Sequence, residues 1–211
     1  MKENKNGKIL ILSGSPHEHG TTRRAIDELC SVLIEEGFET DIHTLGALDA
    51  HGCLGCGSCK RTGRCIIDDV VNELSPLLSE ADGVVLASPV YYAAPNGAFL
   101  ALLNRLFYSS QADLSMKVGA SLVAARRGGC TASFDVLNKY FTISGMPIAS
   151  AYYWDQIHGK SYEEAECDLE GLDTMRSLGR NMAFLIRAIK AEARLREAPK
   201  KPKKIYTNFI R

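Results

Sequence analysis

No apolar run in this 211-residue chain approaches the ~18 residues that a membrane span requires. The polar start, Met1 to Lys8, leads into no apolar leader, so no secretory signal is expected and a cytoplasmic setting is. Formal net charge is zero, which removes any global pull toward nucleic acid or anionic lipid. Neither Gly-x-Gly-x-x-Gly nor a Gly-Lys-Ser/Thr ending occurs after the first strand-like run, so a dinucleotide fingerprint and a nucleoside-triphosphate loop are both missing. The apolar (45%) and charged (24%) fractions are those of an ordinary globule, which excludes wholesale disorder, a collagen-like repeat and a coiled coil.

The zero charge hides an asymmetry. Residues 187–211 carry nine Lys and Arg against Glu192 and Glu197, and the remainder is acidic by the same margin. One domain is expected over 1–198. Residues 199–211 follow as a basic Pro-Lys linker whose apolar end (Ile205, Tyr206, Phe209, Ile210) is expected to dock on the body or on a partner subunit. Cysteine is not scarce: there are seven, with Cys53, Cys56, Cys59 and Cys65 inside thirteen residues. Without a leader, such a cluster points to metal or redox chemistry before structural disulfides.

Continuous apolar runs at Lys8–Ser13, Gly83–Ser88 and Lys117–Ala125 predict strands buried on both faces, with further strands at 39–45 and 147–153. Helical stripes are predicted at 22–36, 69–81 (interrupted or bent near Pro76), 96–109, 131–143 and 169–197. Strands alternating with helices imply right-handed crossovers and a parallel, doubly wound α/β sheet covered on both faces. Such sheets bind ligands beyond the C-terminal strand ends. The segments 13–22, 88–97 and 125–131 are therefore the candidates.

The first joins a strand to a helix and is rich in hydroxyls: Ser13, Ser15, Thr21 and Thr22. Main-chain amides at a helix start, with these hydroxyls and no lysine, suit a single terminal monophosphate such as that of FMN. They equally suit an ordinary strand–helix turn with Thr21 as N-cap. The second segment sets Tyr91 and Tyr92 between Pro89 and Pro95, positioned either to flank a flat ring or to pack in a core or interface. The third, Arg126-Arg127-Gly128-Gly129-Cys130, offers either a charge for a reduced flavin or a solvated arginine pair on a glycine turn, with Cys130 as a small buried residue. His17 and His19 face either the phosphate or solvent, and Asp68-Asp69 caps the next helix.

Gly14-Ser15-Pro16 with Gly20-Thr21-Thr22, then Ser88-Pro89-Val90-Tyr91-Tyr92, then Arg127-Gly128-Gly129 resembles the NADPH-dependent FMN reductase branch of the flavodoxin-like superfamily. Tyr153 to Gly159 and the ending Thr207 to Arg211 share the likeness. The resemblance implies a five-stranded sheet of order 2-1-3-4-5, bound FMN, NAD(P)H as co-substrate, and a homodimer or homotetramer with FMN near a subunit interface. It implies that Ser13, Ser15, Pro16, Gly20, Thr21 and Thr22 hold the phosphate. Pro89, Val90, Tyr91, Tyr92, Asn96, Arg127, Gly128 and Gly129 would flank the isoalloxazine, and Trp154 and His158 would either reach a neighbouring subunit's flavin or pack locally.

Cys53-x2-Cys56-x2-Cys59-x5-Cys65 is close to ferredoxin runs, with Gly55 and Gly57 free to wrap and Lys60, Arg61 and Arg64 among the thiolates. It is similar to the compact motif of the iron–sulfur flavoproteins in the same superfamily, which implies a [4Fe–4S] cluster on these four cysteines. A metal-free loop, and zinc or a disulfide, stay open alternatives. An FMN-dependent oxidoreductase passing electrons to a small molecule or a protein is the leading expectation. No side chain is assigned as a general acid or base. An electron carrier reduced by ferredoxin, without NAD(P)H activity, is the alternative.

Overall fold

A computed structural model describes residues 6–199 and 205. Five parallel strands form the sheet: β1 (Gly7–Ser13), β2 (Phe38–Thr44), β3 (Gly83–Tyr91), β5 (Val118–Ala125) and β6 (Gln156–His158). Their order is β2-β1-β3-β5-β6, and a two-residue strand, β4 (Ala94–Pro95), folds back antiparallel on the end of β3. Counting the parallel strands in chain order gives the expected 2-1-3-4-5.

Alternation along β1 divides the core. Ile9 and Ile11 face one hydrophobic layer, under α1 (Thr21–Glu35) and α7 (Leu169–Leu195). Leu10 and Leu12 face the other, under α3 (Val70–Glu80), α4 (Gly97–Ser109) and α5 (Cys130–Ile143). β5 is buried along its whole length, which explains its unbroken apolar run. Two single-turn helices complete the described elements, α2 (Cys59–Thr62) and α6 (Tyr162–Ala165). No helix among the described residues is long and apolar enough to cross a membrane.

Three expectations need correction. The fifth strand does not run over 147–153: that segment makes one bridge, Ile148 to Gly119, and the paired strand is Gln156–His158. Between them Tyr152, Tyr153 and Trp154 are exposed, so the apolar pattern marks a surface excursion before the chain returns to the sheet. Pro76 does not interrupt its helix; α3 continues through it. Within the cysteine segment 50–66, expected as loop throughout, Cys59–Thr62 winds one helical turn. Most of the tail falls outside the described residues; Ile205 is exposed.

Asp155, just before β6, is fully buried. Its Oδ1 accepts from the Ala151 amide at 3.3 Å, and its Oδ2 meets no hydrogen-bond partner among the described residues. Burial, opposed by that one hydrogen bond, pushes its pKa up to about 7. An unfolded aspartate titrates near ~3.9, so the folded chain binds this proton more tightly. The group's stabilising contribution is complete below about pH 4 and is lost as pH rises to about 7. Asp155→Asn is expected to flatten this fall and raise stability at pH 8 by roughly 2–4 kcal/mol. Urea unfolding at pH 5 and pH 8 checks it; an unchanged pH dependence in the variant defeats the assignment.

Candidate cofactor sites

The C-terminal ends of β1, β3 and β5 open into one cleft. Ser15, Gly20, Thr21 and Thr22 form one wall, Pro89, Val90 and Tyr91 another, and Arg126 with Gly159 and Lys160 a third. Helix α1 starts here with Gly20 as N-cap, no side-chain cap bond and no acidic residue in its first turn. Its first amides and the positive end of its dipole therefore face the cleft without a competing carboxylate.

Thr21 is not the N-cap. It is the first helical residue, and its hydroxyl donates to the carbonyls of Gly159 (3.0 Å) and Ser161 (3.2 Å). The Ser15 hydroxyl is likewise engaged, donating to the His17 carbonyl and accepting from the His17 amide at 3.2 Å each. Ser13 is buried, and its Oγ accepts from the Ser15 amide at 3.4 Å. These three hydroxyls hold the loop's shape. The donors left in this loop are main-chain amides, the Thr22 hydroxyl and the hydroxyl hydrogen of Ser13, whose Oγ acts only as an acceptor among the described residues. Pro16 is half-buried and outside the cleft lining.

Asn96 stands apart from the cleft as a buried clamp. Its Nδ2 donates to the carbonyls of Gly14 (2.9 Å) and Gly46 (3.0 Å), its Oδ1 caps α4 through the Ala98 amide, and its own amide donates to Ser88 Oγ (3.1 Å). One side chain thus ties the loops after β1 and β2 to the start of α4. Tyr91 lines the cleft; Tyr92, fully exposed at the turn into β4, takes a left-handed φ of 53°. Gly129 packs so tightly that an added Cβ would lie 2.8 Å from Val90 Cγ1, and its φ of +93° favours glycine as well. Arg126 reaches the lining, whereas Arg127, Gly128 and Gly129 form the exposed rim beside it.

Lys160 is not legible in the sequence, where the apolar run at 147–153 reads as the fifth strand. With β6 at 156–158, the loop carrying Gly159 and Lys160 falls at the same sheet edge as the other three. His17 also lines the cleft, while His19 stacks on Tyr162 (centroids 4.1 Å apart) and meets Glu163 at 3.2 Å. Trp154 and His158 line a separate hollow, where Asp168 Oδ2 lies 3.4 Å from His158 Nδ1. A larger hollow, about 270 Å³ against about 140 Å³ for the cleft, lies at the opposite sheet edge. Its lysines are already engaged: Lys190 with Asp82 (2.8 Å), and Lys117 with the carbonyls of Ser79 and Ala81.

The four clustered cysteines surround a second recess, walled by Ile66, Ile67, Arg105 and Tyr108. Gly55, Gly57 and Gly63 take φ of +64°, +69° and +74°, which turns the chain around the recess. Cys53 and Cys56 are exposed, Cys59 is buried and Cys65 is half-buried. Among the described residues no three Cys, His, Asp or Glu side chains converge about the position of a single ion. Asn72 grips the main chain of Cys65, accepting from its amide (3.0 Å) and donating to its carbonyl (3.1 Å). Asp69 is the N-cap of α3, as expected, through the Val71 amide. Its second role, an ion pair with Arg105, was not read from the sequence. The remaining cysteines stand outside the recess. Burial pushes the thiols of Cys30 and Cys130 up to about 11, and Cys167 is exposed.

The profile of the NADPH-dependent FMN reductase family matches residues 7–159. An iron–sulfur flavoprotein of Methanocaldococcus jannaschii is 33% identical over 193 residues, covering 87% of this chain and 99% of its own. An iron–sulfur flavoprotein of Methanosarcina thermophila is 29% identical over 188 residues, covering 86% and 96%. Among solved structures, RosB with a bound 8-demethyl-8-formylriboflavin-5'-phosphate superposes with a TM-score of 0.66 at 19% identity, over 97% of this chain and 94% of that one.

Proposed function

The chain belongs to the NADPH-dependent FMN reductase family, and we propose from that premise that it binds FMN in the cleft, carries a [4Fe–4S] cluster on its cysteine loop, and passes electrons from NAD(P)H to a small-molecule or protein acceptor. The observation that carries the reading is the presence of both sites in one chain with no lining residue in common.

The α1 N-terminus and the Thr22 hydroxyl receive the phosphate. Arg126 and Lys160 add positive charge at the rim, and the lining thus contains a lysine that the phosphate loop itself lacks. Pro89 to Tyr91 and the turn at Gly128-Gly129 flank the ring, with Arg127 beside them. Cys53, Cys56, Cys59 and Cys65 supply four thiolates, a donor set that suits iron–sulfur ligation. Bound in the cleft, FMN would supply hydride chemistry, and a cluster on the four cysteines would supply single-electron chemistry. The protein's task is binding and electrostatic tuning, so no general acid or base is assigned. Exposed tyrosines at the rim, Tyr91 and Tyr92, fit the homodimer or homotetramer proposed with it.

A second reading has a specific support. The exposed Lys60 and Arg61, beside an Arg64 that pairs with Asp68, give the cysteine loop a basic rim, which favours an acidic protein donor such as ferredoxin. Anaerobic mixing separates the two. Bleaching of the flavin by NADH or NADPH alone supports the reductase. Bleaching only by reduced ferredoxin supports the carrier. Protein that stays colourless after reconstitution with FMN defeats both. Iron and acid-labile sulfide on the same sample test the cluster, and flavin-replete protein without iron would remove it.

A further inference from the structure

One charge in the cysteine recess has no task in the reading above. Arg105 lies on the buried side of α4 and is 1% exposed. Its Nη1 donates to Asp69 Oδ2 (2.7 Å) and to the His51 carbonyl (3.4 Å). Its Nη2 donates to Asp69 Oδ1 (2.7 Å) and to the Ile67 carbonyl (3.2 Å). The two-pronged pairing with Asp69 fixes the plane of the guanidinium. Its remaining donor, Nε, lies 3.4 Å from Cys65 Sγ. The sulfur is fixed from its own side, because Asn72 holds the Cys65 main chain at both amide and carbonyl.

We propose that Arg105 is a positioning residue that sets the reduction potential at the cysteine loop: its Nε–H bonds the Cys65 thiolate, and Asp69 sets how much of the guanidinium charge that sulfur feels. The inference rests on the cluster reading above. Reduction adds one electron, whose charge spreads onto the sulfurs. A fixed cation and an N–H···S bond stabilise the reduced form more than the oxidised one and so raise the potential. Lys60, Arg61 and Arg64 are more numerous but exposed, and water screens them. Arg105 acts from a buried position, where solvent screens the same charge less. Its partner Asp69 opposes it at a fixed distance.

That opposition supplies a test that a mere brace would not pass. The holoprotein is titrated anaerobically with dithionite and mediators, and the reduced cluster is followed by electron paramagnetic resonance. Arg105→Gln keeps an N–H donor and removes the charge. At the wild-type midpoint its ratio of reduced to oxidised cluster should fall about tenfold, a shift of about 59 mV for one electron. Asp69→Asn keeps the helix cap and one acceptor for Arg105 while removing the opposing charge. Its ratio should rise several-fold. Opposite signs support the proposal; shifts of the same sign, or none, overturn it. Should Arg105→Gln fail to fold or to retain iron, Arg105→Lys, which keeps the charge, is compared with Asp69→Asn, and a midpoint in Asp69→Asn no higher than wild type overturns the proposal. Wild-type protein that holds no iron or sulfide overturns the cluster reading as well. A wild-type cluster with unmoved variants overturns this inference alone.

Discussion

Cys59→Ser is expected to lose essentially all of its iron, from roughly four atoms per chain, while keeping its FMN. Cys59 is buried at the start of α2, between a left-handed glycine before it and another at the end of its turn. It therefore has less freedom to be bypassed than the exposed Cys53 and Cys56. A hydroxyl is a poor substitute for a thiolate toward iron that prefers soft ligands. The flavin cleft shares no lining residue with the recess, so the flavin-to-protein ratio should stay at the wild-type value. Cys167→Ser, at an exposed cysteine outside the recess, should retain all the iron. Iron and sulfide assays beside the flavin spectrum decide it; full iron in Cys59→Ser would show that the recess is not the ligand set.

Gly46→Ala should weaken FMN binding at least ~100-fold, about 2.7 kcal/mol, although residue 46 lies outside the cleft lining. A Cβ there would fall 2.2 Å from the Gly14 carbonyl oxygen and 2.4 Å from the Ser15 carbonyl carbon. Both are main chain, so no side chain can swing aside. Either the loop after β2 or the phosphate loop must move, and Asn96 ties the two together through Gly46 and Gly14. A displaced phosphate loop loses the aim of the α1 amides, on which the anion's affinity depends. Gly52→Ala is the control, because nothing lies within 4 Å of its added Cβ. Fluorescence titration of apoprotein with FMN measures both variants. Equal affinities would mean that the two loops are not coupled.

Strands buried on both faces announced themselves in the sequence, since the central stretches of β1, β3 and β5 are buried and carry mostly apolar side chains in unbroken runs. The sixth strand did not. Its three residues include Gln156 and His158, and the better apolar run upstream makes one bridge at Ile148 and then ends in exposed tyrosines. The loop after β1 stood out by composition, yet the Ser15 and Thr21 hydroxyls hold main-chain groups, while the Thr22 hydroxyl is not so engaged among the described residues. Lys160 was hidden by the misplaced strand. Asn96 was picked out, but its grip on Gly14 and Gly46 depends on contacts 82 and 50 residues away. Arg105 did leave a trace: it lies three residues after Leu102 and four before Ser109, both buried, so a charge interrupts an inward-facing stripe. Only the packing shows that Asp69 and Cys65 meet it.

The segment from Gly46 to Asp69 is fastened at its two ends, by Asn96, the N-cap of α4, at the first and by Arg105, within α4, at the second. An excision between those anchors would remove α2 with the four cysteines and leave the sheet, the other helices and the cleft lining in place. The cysteine loop is in that sense a detachable cartridge beside one helix, and on the proposed function a shortened hairpin in its place should yield a redox protein restricted to its organic cofactor.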